Sequence, residues 1–198
     1  ETALPQVFSS HHELTDLRAR GPASVTVLEL PSNEQPLLIT SESEQPLDWS
    51  KDGRFLLFST QNPKTASDIW ALPLMGERKP FALLQSTFNE IQGQFSPDGR
   101  WLAYASNESG RYEIYVRTFP EVGGKWLVSG SGGMQPRWRH DGRELFYVAP
   151  DTQLMAVTLR LAPDAELLEA GPPVALFPAR LAAGGNIPTD GFSARAQY

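Results

Sequence analysis

Along the chain, apolar and polar positions fall into short strand-like runs broken by polar turn clusters, without the long 3.6-residue periodicity of an amphipathic helix. The runs come in pairs about an Asp-Gly. Phe55-Leu56-Leu57-Phe58 follows Asp52-Gly53-Arg54, Trp101-Leu102-Ala103-Tyr104 follows Asp98-Gly99-Arg100, and Glu144-Leu145-Phe146-Tyr147 follows Asp141-Gly142-Arg143. Trp49, Phe95 and Trp138 stand at matching places before the turns. Asp and Gly both tolerate positive φ, which predicts a tight two-residue hairpin turn joining the two strands. The Asp carboxylates are expected to cap backbone N–H groups of the turn.

The unit repeats. Asp52, Asp98 and Asp141 stand 46 and 43 residues apart, a period that suits a four-stranded propeller blade. A third strand is predicted at 68–72, 113–116 and 153–157, rich in branched and aromatic residues. A weaker fourth strand, the exposed outer edge, is predicted at 80–84, 125–128 and 174–177. The fold class expected is all-β, a β-propeller of four-stranded antiparallel blades with about four blades in an incomplete ring. Its boundaries read as a degenerate blade over 1–44, blades over 45–88, 89–133 and 134–178, and a linker with the start of a further blade over 179–198. In the degenerate copy an eroded turn is placed at 8–14, with strands at 25–30 and 37–40, and 192–198 reads as an inner strand.

Composition changes this picture little. The 198 residues are 40% hydrophobic and 20% charged, enough for a buried core without a metal or disulfide staple. Cysteine is absent, which excludes disulfides and thiolate metal sites and leaves the compartment open. Seventeen Lys and Arg against 23 Asp and Glu are scattered singly, so no basic patch marks a nucleic-acid partner. No apolar run reaches about 18 residues, which argues against insertion in a membrane. The chain opens on Glu1, consistent with removal of a signal peptide or an upstream domain.

The unit Phe95-Ser96-Pro97-Asp98-Gly99-Arg100-Trp101-Leu102-Ala103-Tyr104, followed by Glu113-Ile114-Tyr115-Val116, resembles the TolB-like, WD-type propeller repeat of bacteria. Phe88-Asn89-Glu90 and Gly171-Pro172-Pro173-Val174-Ala175-Leu176-Phe177 add a resemblance to propellers attached to bacterial Ser/Thr protein kinases. It covers 45–178. His140 departs from it, standing where the repeat usually has Pro. The His-Arg-Asp and Asp-Phe-Gly motifs are absent, so kinase chemistry does not carry over. The resemblance implies a propeller that binds proteins or ligands, in a periplasmic or extracytoplasmic place.

Candidate chemistry is sparse. Asp52, Asp98 and Asp141 read as turn residues, each on its own blade, rather than as metal ligands or general bases. Adjacent His11 and His12 on a strand would point to opposite faces, so His11-His12-Glu13 is a poor metal site. His140 beside Asp141 aligns with Lys51 and Pro97 in exposed turns. Ser129-Gly130-Ser131-Gly132-Gly133 fits neither a nucleophile elbow nor a phosphate cradle and reads as a flexible loop. Trp49, Phe95 and Trp138 read as the wedge between neighbouring blades. No catalytic residue, metal or cofactor is assigned.

Loops joining the second strand to the third, and the fourth to the next blade, emerge together on one face, where a rigid scaffold usually presents its binding groups. The candidate partner-binding residues are Gln45, Asn62, Lys64, Asn89, Glu90, Asn107, Glu108, Arg111 and Gln135. The leading expectation is a non-catalytic module recognising a protein or peptide there. Two alternatives are an extracytoplasmic small-ligand sensor of a larger signalling protein, and a propeller enzyme or the accessory domain of a peptidase. About four blades fall short of the six to eight common in such repeats, which predicts self-association or completion by missing sequence.

Overall fold

The computed structural model describes residues 44–121, 123–161 and 167–179. The degenerate first blade, His11-His12-Glu13 and the strand placed at 192–198 lie outside the described residues. The chain divides into two compact units, one up to Ile91 and one from Gln92 onward.

The described residues form antiparallel sheets whose neighbouring strands follow one another in sequence. Strands β1 (Glu44–Trp49), β2 (Phe55–Asn62), β3 (Ala66–Pro73) and β4 (Phe81–Leu84) pair in that order. A second sheet runs β5 (Glu90–Phe95), β6 (Trp101–Ser106), β7 (Glu113–Thr118) and β8 (Lys125–Leu127). The third holds β9 (Met134–Trp138), β10 (Glu144–Val148) and β11 (Gln153–Leu161), with β12 (Leu168–Ala170) and β13 (Val174–Pro178). Here the architecture departs from four strands per sheet. β11 is nine residues long, so one end pairs with the outer strand β13 while Leu159 to Leu161 run on and pair with β12.

The aligned leucines and aromatics are the core. Leu56, Leu102 and Leu145 are at most 1% exposed, and Phe58, Tyr104 and Tyr147 are buried beside them. Phe58 stacks on Trp70 and Tyr104 on Tyr115 across neighbouring strands, the cross-strand pairing that stabilises a sheet. The preceding aromatic column is not uniform. Phe95 is buried edge-on against Phe119, Trp138 is half-buried, and Trp49 is 37% exposed.

The hairpin turns are longer than the two-residue form expected. Ser50 N–H donates to the Phe55 carbonyl and Gly53 N–H to the Ser50 carbonyl, which leaves a four-residue loop between the paired ends. The same two bonds recur at Ser96, Gly99 and Trp101, and at Arg139, Gly142 and Glu144. Only the glycines take positive φ, 71° at Gly53, 69° at Gly99 and 73° at Gly142. The turn therefore needs a left-handed residue in its fourth position alone, the place where Gly is favoured in a type I turn. The Asp carboxylates cap as expected, Asp52 Oδ1 accepting from Arg54 N–H at 3.0 Å and Asp98 Oδ1 from Arg100 N–H at 3.2 Å.

Within the second unit the sheets are tied at their first strands. Gln92 and Gln135 both take left-handed backbones, φ 57° and 56°. Gln92 Oε1 accepts Gln135 N–H at 2.7 Å, and Trp138 Nε1–H donates to the Gln94 carbonyl at 3.3 Å. Gln135 sits where the β9–β10 register shifts between Phe146 and Val148, a β-bulge that aims its amide at the neighbouring sheet.

Candidate functional site

The antiparallel order gathers the β2–β3, β6–β7 and β10–β11 loops at the same end of their sheets as the links leaving the outer strands. In the first unit, Asn62 closes β2 and its Oδ1 accepts Lys64 N–H at 2.9 Å, shaping the turn on which Lys64 is exposed. Gln45 is exposed in β1, paired with Ser59. Asn89 is half-buried, and Glu90 is 3% exposed, its Oε1 accepting Ser86 Oγ–H at 2.5 Å. Glu90 opens a strand, and its carboxylate holds the preceding link.

The second unit groups Asn107, Glu108 and Arg111 on the β6–β7 loop. Gly110 N–H donates to the Asn107 carbonyl and closes the turn, while Ser109 Oγ–H donates to the Arg111 carbonyl at 3.1 Å. Lys125 Nζ donates to both Glu108 oxygens, at 2.6 and 2.8 Å, and lies 5.2 Å from the centre of the Tyr115 ring. Gln135 stands apart from this group, buried in β9 rather than placed on a loop.

Glu113, the residue that organises this end, is not among the nine candidates. It opens β7, is 2% exposed, and uses both carboxylate oxygens. Oε1 accepts Arg111 Nε–H at 2.7 Å. Oε2 accepts Gly132 N–H at 2.9 Å and the Ser129 hydroxyl, whose own oxygen accepts Ile114 N–H at 2.7 Å. Arg111 also donates from an Nη2 to the Gly130 carbonyl at 3.2 Å. One buried carboxylate thus welds the β6–β7 loop to the glycine-rich link between β8 and β9, and the link expected to be flexible is pinned at Ser129, Gly130 and Gly132. Gly133 fits only without a side chain, since a Cβ would meet Tyr147 at 2.7 Å and Ile114 at 2.9 Å. Burial, reinforced by the charge of Glu113, pushes the Tyr147 phenol up to about 12.

Asp68 is the matching residue of the first sheet. Its register partner is Thr60, as Ser106 is for Glu113. Both acids precede Ile and an aromatic, in Asp68-Ile69-Trp70 and Glu113-Ile114-Tyr115. That recurring acid at the head of a buried strand is the signal from which both could have been found, because a carboxylate kept there needs donors from the adjoining loops.

No protein-family model and no curated protein matches the chain. Solved structures do. A protein assigned as TolB from Agrobacterium tumefaciens superposes with TM-score 0.50 at 18% identity, over 67% of this chain and 50% of that one. TolB from Acinetobacter baumannii superposes with TM-score 0.54 at 17% identity, over 75% of this chain and 36% of that one. The fold is a TolB-like β-propeller. The chain spans half the length of the first structure and about a third of the second, so it matches a set of blades in each. The β-propeller domain of the Trilobed protease from Pyrococcus furiosus also aligns, at 16% identity over 66% of this chain and 41% of that one, with TM-score 0.44. A shared fold does not fix a function, so the assignment rests on the site.

Proposed function

We propose that the chain is a non-catalytic recognition module that binds a protein or peptide at the loop end of its blades. The observation that carries this reading is the Glu113 weld. Loops left to themselves lose entropy when a partner orders them, and a surface already fixed avoids that cost. Here the β6–β7 loop and the β8–β9 link are held from below by a carboxylate with three donors, which makes a rigid ledge out of segments that a sequence of Gly and Ser would otherwise leave loose. At the opposite end the Asp52 and Asp98 carboxylates bond within their own turns, and the turns meet the links after β3 and β7 through backbone bonds, the Arg54 carbonyl accepting Leu74 N–H and the Arg100 carbonyl accepting Phe119 N–H. The first unit, taken by itself, presents a loop end of its own, with the exposed Lys64 and Gln45 as contact groups and Asn62, Asn89 and Glu90 as residues that shape the loops.

The test is a footprint. Peptides selected on the purified chain from a phage-displayed random heptapeptide library are bound to it, and backbone hydrogen exchange is compared with and without peptide. Slowed exchange over 107–112 and 129–133 supports the reading. Protection confined to the turns at 50–54, 96–100 and 139–143 would place recognition at the other end and overturn it.

A further inference from the structure

We infer that Arg111 is a preset docking point for one carboxylate, an Asp or Glu side chain of the protein partner. The inference rests on the loop-end reading and adds the chemistry of its anchor. The Arg111 guanidinium is held at two corners, by Glu113 at Nε and by the Gly130 carbonyl at Nη2, and its main chain is tied by Ser109. Its side chain is nevertheless 61% exposed, while that of Glu113 is 3% exposed. The pair is thus stacked by depth. The negative charge lies beneath, and the outward side, where Nη1 makes no hydrogen bond among the described residues, is positive. A guanidinium offers its remaining N–H groups as a planar fork suited to a carboxylate, and one already immobilised loses little freedom on binding.

The surroundings leave room for it. A Cβ built on Gly110 or on Gly130 would meet nothing within 4 Å, so the ledge on either side of Arg111 is open. The neighbouring cation does not compete, because the Lys125 ammonium is already shared between the two oxygens of Glu108. On this ledge, among the described residues, one available cation matches a single carboxylate and not the charge ladder of a nucleic-acid backbone, which needs several.

The experiment uses the peptides selected above and fluorescence polarisation. Selected sequences are expected to share an Asp or Glu, and Arg111→Gln is expected to weaken binding about tenfold or more, the loss typical of a charge-assisted hydrogen bond. Arg111→Lys keeps the charge but not the fork and is expected to fall between. Changing the peptide acid to its amide weakens binding to the parent and adds no further loss on Arg111→Gln, which isolates the pair. Circular dichroism at the assay temperature shows that the variants are folded, a somewhat lower melting temperature being expected where the bond to Glu113 is lost. Equal affinity of parent and Arg111→Gln overturns the inference. If Ser131→Trp on the same ledge then abolishes binding, the loop-end reading stands without it, and if Ser131→Trp also has no effect, or no peptide is selected, both fall.

Discussion

Asp68 and Glu113 occupy matching register positions near the start of the third strand of their sheets and differ by one methylene. Glu113 reaches across to the link beyond β8 and has both oxygens bonded, to Arg111, Ser129 and Gly132. Asp68 is fully buried, and its Oδ2 accepts the Thr65 hydroxyl at 2.6 Å and, at the limit of hydrogen bonding, Gln85 Nε2 at 3.5 Å. Its Oδ1 has no hydrogen-bond partner among the described residues. A buried carboxylate is costly unless its lone pairs are met, so the longer acid organises two loops and the shorter one is a partly satisfied burden in the first sheet. The lesson is that a repeating acid does not carry a repeating role. The donors delivered by the adjoining loop decide what it does.

The largest effect expected from this contrast is at Glu113. Glu113→Ala strands the Gly132 N–H and removes an acceptor from Ser129, and should lower stability by about 3 kcal/mol in urea unfolding, the scale for orphaned buried groups. A loss under about 1 kcal/mol would show that Glu113 holds the two loops no better than Asp68 does. Alkaline pH probes the same charge from its neighbour. The Tyr147 phenol is held protonated to about 12 in the folded state, above its ordinary value of 10.0. Its contribution is therefore complete below pH 10 and is lost as pH rises toward 12. Melting temperatures measured against pH should fall over that window in the parent and more shallowly in Tyr147→Phe.

Much of the fold was legible because its signals are local. The spacing of Asp52, Asp98 and Asp141 gave the period, and the buried leucine and aromatic columns gave the strand faces. The turn form was misread, since Asp-Gly marks a two-residue hairpin and a four-residue one alike, and only the Ser50–Phe55 pairing separates them. β12 was missed because it depends on β11 overrunning its partner, a matter of tertiary extent that a propensity pattern does not express. At the site, Asn107, Glu108 and Arg111 were found as polar loop residues. Glu113 was passed over as a strand residue, although a charged side chain heading a buried strand points to waiting donors. Gln135 looked like a loop residue because a bulge interrupts the strand alternation that would have marked it.

A third kind of acid sharpens the contrast further. For Asp98, burial pushes the carboxyl up, but hydrogen bonds from Ser96 and Arg100 outweigh it and hold it below its ordinary value. These bonds stay inside one turn. Asp98→Ala should cost about 1 kcal/mol, and Gly99→Val about 2 kcal/mol or more, because a branched side chain is strained at φ 69° even though the space around it is open. Equal melting temperatures for both variants and the parent would defeat this account of the turn. Asp98 also contributes stability above pH 3.8 that is lost as pH falls, and Asp98→Asn should flatten the acid limb of the melting curve. The smallest change is expected at Asp68. Asp68→Asn removes a buried charge with an unmet oxygen and should shift stability by under about 1 kcal/mol in either direction. A loss as large as that of Glu113→Ala would show that the two acids are equivalent after all.

The most direct test of the weld is the hydrogen exchange of the Gly132 amide, followed by NMR in the parent and in Glu113→Gln. Gly132 lies in a glycine-rich link, and the bond that protects its N–H is the one to Glu113 Oε2. Slow exchange is expected in the parent, with a loss of protection of about a hundredfold in Glu113→Gln and the Leu102 and Val116 amides in the core of the same sheet unaffected. Fast exchange of Gly132 in the parent, or protection unchanged by the substitution, would contradict the weld.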